Sequence, residues 1–188
     1  MNYLEDLINY LDDLAILYGT DKSSEFHNYT KYYFELFEDM RDEKINLLEI
    51  GIDKGASLMM WADFFEVGNI TGIDINCKDT TNGRITTIKA DQRDFKTDQV
   101  FDIIIDDGSH NPEHFLKSLG NLWPSLKSGG YYCIEDLSVC SSIKYPAEWH
   151  KRYLEWFTAN IFNFNIFAKD IDCEKVLIYP KLIVLQKG

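Results

Sequence analysis

This chain of 188 residues contains no CxxC pair and no run of apolar residues of membrane length. Its four cysteines, Cys77, Cys133, Cys140 and Cys173, lack the spacing of a zinc site, so free thiols in a reducing compartment are expected. Without an apolar span there is no candidate membrane-crossing helix. No basic leader followed by an apolar stretch opens the sequence, and the cytoplasm is the expected location. Positive charge is also scarce, with 19 Lys and Arg against 31 Asp and Glu and a net charge of -12. An acidic surface repels nucleic acid and anionic lipid, which excludes both as expected partners and favours a cationic ligand or a bound metal. Repeats, low-complexity tracts and linkers are missing too. What remains is one domain over residues 1–188, with enough hydrophobic residues (45%) for a proper core.

The order of elements is legible from periodicity. "MNYLEDLINYLDDLAILYG" carries Leu4, Leu7, Ile8, Leu11, Leu14 and Leu17 at helical spacing, and Gly19 is placed to stop the helix. "DKSSEFHNYTKYYFELFEDMR" reads as a second helix with Ser24 as its cap and Tyr29, Tyr33 and Phe37 along one face. Residues 1–44 thus form a helical lid or flank on a core of residues 45–188. In that core "INLLEIG", "NITGIDIN", "RITTIKAD", "FDIIIDD" and "GYYCIEDL" read as strands. "KGASLMMWADFF" and "NPEHFLKSLGNLWPSLKSGG" read as helices between them, and "AEWHKRYLEWFTANIF" as a later one. Apolar strands alternating with helices indicate a parallel sheet in an α/β layer fold. The tail "CEKVLIYPKLIVLQKG" fits two short strands around Pro180 or one bulged strand.

Open parallel sheets bind ligands beyond the carboxyl ends of their strands. The first such turn is "LEIGIDKGAS". A dinucleotide fingerprint needs glycine at 53 and 56, where Asp53 and Ala56 stand, and a carboxylate at Asp53 would face a pyrophosphate. A P-loop is excluded because no Gly-Lys-Ser/Thr follows. The remaining pattern of Glu49, Gly51 and Gly55 resembles the first motif of class I S-adenosylmethionine (SAM) methyltransferases. SAM has no pyrophosphate and carries a sulfonium and an ammonium, so an acidic rim suits it. Gly51 would let the backbone pass close to the ligand. Asp74 is placed to accept from ribose hydroxyls, and "KADQRD" brings Asp91 toward the adenine.

Three further segments narrow the resemblance: "YGTDK" (18–22), "IDDGSH" (105–110) and "IEDL" (134–137). Over residues 18–140 the chain is similar to the metal-dependent sugar O-methyltransferases of macrolide biosynthesis, of the macrocin and mycinamicin type. The resemblance implies a Rossmann-like class I fold with a mostly parallel seven-stranded sheet, helices on both faces and an N-terminal helical lid. It also implies SAM and Mg²⁺, or another hard divalent cation, as cofactors. Asp107, Glu135 and Asp136 become the metal ligands, His110 the general base, and Tyr18 and Thr20 neighbours of SAM.

Physical chemistry supports that assignment separately. The strands ending in Asp107 and in Glu135-Asp136 are expected neighbours, about 4.8 Å apart. Three carboxylates gathered there call for a hard cation with oxygen ligands. Such a cation would orient and acidify a diol hydroxyl, and His110 would remove the proton. Alternation sends Asp106 to the opposite side, toward the sulfonium. The expected partner is a small hydroxylated acceptor such as a sugar or nucleotide sugar, while self-association into a homo-oligomer stays open. The family's members are longer, which suggests an acceptor smaller or more exposed than a macrolide. Two rival readings stand beside this one. One is a metal-independent N- or O-methyltransferase acting on an amine or phospho-compound; the other is a non-catalytic SAM- or metal-binding partner. The plain structural alternative is an Asp-capped turn before Pro112 with His110 solvated.

Overall fold

The computed structural model describes residues 3–137 and 172–188, which fall into two compact units, Met1–Lys89 and Ala90–Gly188. The helix expected after Pro146 lies outside the described residues, as do Cys140 and His150.

In the first unit, α1 (Tyr3–Tyr18) ends where expected, at Gly19 in the left-handed region. Leu11 and Leu14 are buried, but Leu17 is 72% exposed. The second helix starts later than the sequence suggests. Asn28 adopts φ 57, which breaks a continuous helix, and α2 spans Thr30–Phe37. Ser24 is therefore no helix cap: its amide and hydroxyl both donate to Asp12 on α1. The aromatic face predicted for α2 is fully buried at Tyr29, Tyr33 and Phe37. Tyr33 meets Trp61 of α3 (Ala56–Phe64) edge to face, with ring centroids 5.4 Å apart, and Phe64 and Phe65 lie 4.9 Å apart. Much of the chain's aromatic content is thus core packing.

The strands β1 (Asn46–Ile50), β2 (Asn69–Asp74) and β4 (Ile85–Lys89) pair in parallel in the order β4-β2-β1. An additional strand, β3 (Thr80–Asn82), pairs antiparallel with β4 across Asn82-Gly83. Arg84 stands just before β4 and donates from Nη1 to the carbonyls of Phe65 (2.7 Å) and Gly68 (2.6 Å), and from Nη2 to that of Ala62. A guanidinium at a helix C-terminus satisfies orphan carbonyls and opposes the helix dipole. Arg84→Ala is expected to cost roughly 1.5–3 kcal/mol, seen in urea unfolding as a lower midpoint at unchanged slope.

In the second unit β5 (Phe101–Asp106) pairs in parallel with β6 (Leu126–Ile134), with Asp106 opposite Ile134, as expected of neighbours. Between them runs α4 (Pro112–Leu122), capped by the Asn111 side chain, which accepts from Glu113 N at 3.0 Å. The tail forms two strands, β7 (Cys173–Tyr179) and β8 (Leu182–Lys187). They are joined at Pro180-Lys181, with Lys181 at φ 66. β8 lies antiparallel to β6 and carries β7 on its far side. Among the described residues there are eight strands where seven were expected.

Candidate functional site

Three left-handed residues shape the turn after β1: Gly51 (φ 81), Asp53 (φ 43) and Gly55 (φ 83), the last serving as the N-cap of α3. Only glycine adopts this conformation without steric cost, which accounts for the spacing of the motif. Asp74 at the end of β2 holds the turn, accepting from Ile52 N at 3.2 Å through Oδ2 and from Asn76 N at 2.7 Å through Oδ1. Asp74 and the glycine turn therefore come together as the sequence suggested.

Glu49, Tyr18 and Thr20 have partners inside the first unit. Glu49 forms no acidic rim, for its side chain is 0% exposed. Lys22 Nζ lies 3.2 Å from Oε1, and the Ser57 hydroxyl donates to Oε2 at 2.7 Å. Its charge is spent on an internal lysine. The Tyr18 hydroxyl donates to Asp63, a bond that raises the phenol's pKa. Thr20 is buried, with Oγ1 accepting from Lys22 N at 3.4 Å.

In the second unit Asp91 is held by Arg93. Its Oδ1 accepts from Arg93 Nε and from Arg93 N, each at 2.9 Å, which keeps the carboxyl well below the usual range. Asp106 is buried, 3% exposed. Its Oδ1 accepts from Gln92 Nε2 (3.2 Å) and Oδ2 from the Tyr132 hydroxyl (3.2 Å). Desolvation pushes its pKa up to about 6, although the Gly108 N–H and the Tyr132 hydroxyl act to lower it. Through these bonds Asp106 ties the end of β5 to Gln92 and to Tyr132 of β6.

Asp107, His110 and Asp136 do converge. One ligand atom from each lies within 4.8 Å of the others, with Asp107 and His110 half-buried and Asp136 buried. His110 Nε2 lies 4.0 Å from Asp136 Oδ2. His110 (φ 54) and Asp136 (φ 56) both hold left-handed backbones, a strain of order 1–3 kcal/mol each that tends to gather at functional positions. Glu135 is 3% exposed and stands outside this group. The two carboxylates suit a hard divalent cation such as Mg²⁺ or Mn²⁺, and an imidazole beside them suits a proton acceptor.

Two participants escaped the sequence reading. His114 has its Nδ1 2.7 Å from the Ser109 hydroxyl, and burial lowers its pKa. Gln92 is buried and bridges several parts of the second unit. The Asp-Gln pair in "KADQRD" was the available signal, but only its aspartate reads as chemistry.

Known methyltransferases share the sequence pattern and the fold of this chain. A family model described as a methyltransferase domain matches residues 48–137. Demethylmacrocin O-methyltransferase of Streptomyces fradiae is 41% identical over 142 residues, covering 68% of this chain and 36% of the relative. Mycinamicin VI 2''-O-methyltransferase of Micromonospora griseorubida is 39% identical over the same shares. The chain therefore spans little more than a third of the length of these relatives. The MycE methyltransferase of the mycinamycin biosynthetic pathway, solved with Mg and SAH, is 31% identical. It superposes with a TM-score of 0.80 over 95% of this chain and 54% of its own. Over residues 48–137 the chain carries a methyltransferase domain of the Rossmann-like class I fold, and it resembles the metal-dependent sugar O-methyltransferases of the macrocin and mycinamicin type.

Proposed function

We propose that this protein transfers the methyl group of SAM to a hydroxyl of a sugar or another small hydroxylated metabolite, with a divalent metal assisting. The observation that carries this reading is the convergence of Asp107, His110 and Asp136 at the ends of β5 and β6. In the proposal residues 1–188 act as one methyltransferase domain. The turn at Gly51 and Gly55, with Asp74, holds SAM, and Asp91 contributes on the adenine side. Tyr18 and Thr20 border the cofactor, and Glu49, paired with Lys22, anchors the strand that leads into the turn. Asp107 and Asp136 hold the metal. Glu135, buried beside Asp136, enters the set only through the resemblance to the macrocin and mycinamicin enzymes.

Each group has a defined task. SAM supplies a methyl group bonded to a sulfonium, and a divalent cation supplies Lewis acidity toward a hydroxyl. His110 accepts the hydroxyl proton at an imidazole nitrogen, leaving the acceptor oxygen free to take the methyl group. Asp136, 4.0 Å from Nε2, stabilises the imidazolium that results. The strained backbones at His110 and Asp136 fix both groups before substrate arrives.

Relatives are named for methylation at the 2''-oxygen of mycinamicin VI and the 2'-oxygen of a rhamnosyl tetracenomycin, which supports a ring hydroxyl of an attached sugar as acceptor. No helix of the described residues is long and apolar enough to cross a membrane. Cys77 and Cys173 are free thiols, which supports a cytoplasmic setting. The acidic charge balance speaks against nucleic acid and anionic membrane partners.

Radiolabelled methyl transfer from SAM to a panel of deoxysugar-bearing and nucleotide-sugar acceptors tests the reading. The expected result is transfer that EDTA abolishes and Mg²⁺ or Mn²⁺ restores. Full activity in verified metal-free protein would replace it with metal-independent methylation.

A further inference from the structure

A single buried amide joins three parts of the second unit. Gln92, between β4 and β5, is 8% exposed. Its Nε2 donates to Asp106 Oδ1 at the end of β5 (3.2 Å) and to the Ser118 hydroxyl on α4 (3.0 Å). Its Oε1 accepts from Ser109 N at 2.8 Å. The orientation of the amide follows from its partners: a carboxylate requires the nitrogen and a backbone N–H requires the oxygen. Ser118 is itself fully buried and donates onward to the His114 carbonyl at 3.0 Å.

The backbone bond falls at a critical place. Ser109 sits between Gly108 and His110, two residues after Asp107, so holding its N–H fixes the Gly108–Ser109 peptide, directly before the left-handed His110. The Ser109 hydroxyl is held in turn by His114 Nδ1. Gly108 is fitted to the same amide. A Cβ at that position would collide with Gln92 Oε1 and lie 2.9 Å from Cδ. Gln92 can swing aside only by giving up bonds to Ser109, Asp106 and Ser118.

We infer that Gln92 is a positioning residue for the loop that presents Asp107 and His110, acting through the Ser109 amide and requiring glycine at 108. The inference rests on the proposed metal-and-base role of that loop. Groups that orient metal ligands from behind are usually worth 10- to 100-fold in metal affinity.

Gln92→Met keeps length and volume while removing all three hydrogen bonds. In the intact protein it is expected to weaken Mn²⁺ binding about tenfold by calorimetry. S-adenosylhomocysteine affinity should change little, while the urea midpoint falls, because buried Asp106 and the Ser109 N–H each lose a partner. Hydrogen exchange in the peptide covering 107–111 should become several-fold faster, while β5 and β6 keep their protection. Gly108→Ala alone should also weaken Mn²⁺ binding about tenfold, whereas Gly108→Ala combined with Gln92→Ala should bind no worse than Gln92→Ala alone. Unchanged exchange in the loop of Gln92→Met overturns the inference, as does a double variant showing the full sum of two independent losses. Should Gln92→Met fail to fold, the Gly108 pair decides. Wild-type protein that binds no Mn²⁺ refutes the metal reading instead, and loop exchange then decides the role of Gln92.

Discussion

Lys22→Met is expected to destabilise the protein by about 3–5 kcal/mol, enough to threaten folding at physiological temperature. The lysine and Glu49 are 1% and 0% exposed, with 3.2 Å between Nζ and Oε1. Removing the cation strands a carboxylate in the interior, retaining the Ser57 hydroxyl as one of its donors. Replacing both partners is far milder, because no uncompensated charge remains. Lys22→Met combined with Glu49→Gln should therefore recover most of the lost stability, since the amide oxygen still accepts from Ser57. Urea denaturation of the two single variants and the double measures the coupling directly. If the double variant is as unstable as the sum of the singles, the pair is not the strut described here.

This ion pair also changes what the N-terminal segment means. A helical flank laid over a finished core would be removable. Lys22 instead neutralises a carboxylate on β1, and Tyr29, Tyr33 and Phe37 are all fully buried. Deleting residues 1–23 would remove the cation along with α1. The expected product is an unfolded or aggregating chain.

The sequence disclosed whatever local stereochemistry dictates. Gly51 and Gly55 occupy left-handed backbone, so their spacing carried the shape of the turn. The parallel strands were legible as apolar runs, and β5 beside β6 brought Asp107 near Asp136 as the motif order required. Interactions distant in sequence were hidden. Lys22 lies in the polar stretch "TDKSS" and reads as a surface lysine, because its partner is 27 positions away and only tertiary burial joins them. Glu49 was misplaced for the same reason. The sequence pattern identifies a carboxylate at a strand end but not the side to which its charge is committed. β3 was overlooked although Asn82-Gly83 between threonines is a hairpin signal; a three-residue strand is too short for periodicity to reveal. Ser24 illustrates the opposite error. It has the chemistry of a helix cap, yet Asp12 takes both of its donors and α2 begins at Thr30.

The other large effect concerns the cluster at the ends of β5 and β6, where two substitutions should separate two tasks. Asp107→Ala removes one of the two carboxylates within 4.8 Å of His110, and Mn²⁺ binding should be lost, because hard cations need several oxygen ligands. Binding of S-adenosylhomocysteine should persist, since none of its proposed determinants, Gly51, Gly55, Asp74 and Asp91, belongs to this cluster. His110→Ala should retain both ligands yet lose methyl transfer by roughly 10²- to 10⁴-fold, the usual worth of a positioned general base. The pH response tells the variants apart. Rising hydroxide can take the proton that His110 no longer accepts, so His110→Ala should regain part of its rate at alkaline pH. Hydroxide cannot supply a missing ligand, and Asp107→Ala should stay inactive throughout. If His110→Ala instead loses the metal along with activity, the imidazole is a ligand and the base must be sought elsewhere. If Asp107→Ala keeps the metal and remains fully active, the cluster is a structural turn and the proposed chemistry fails.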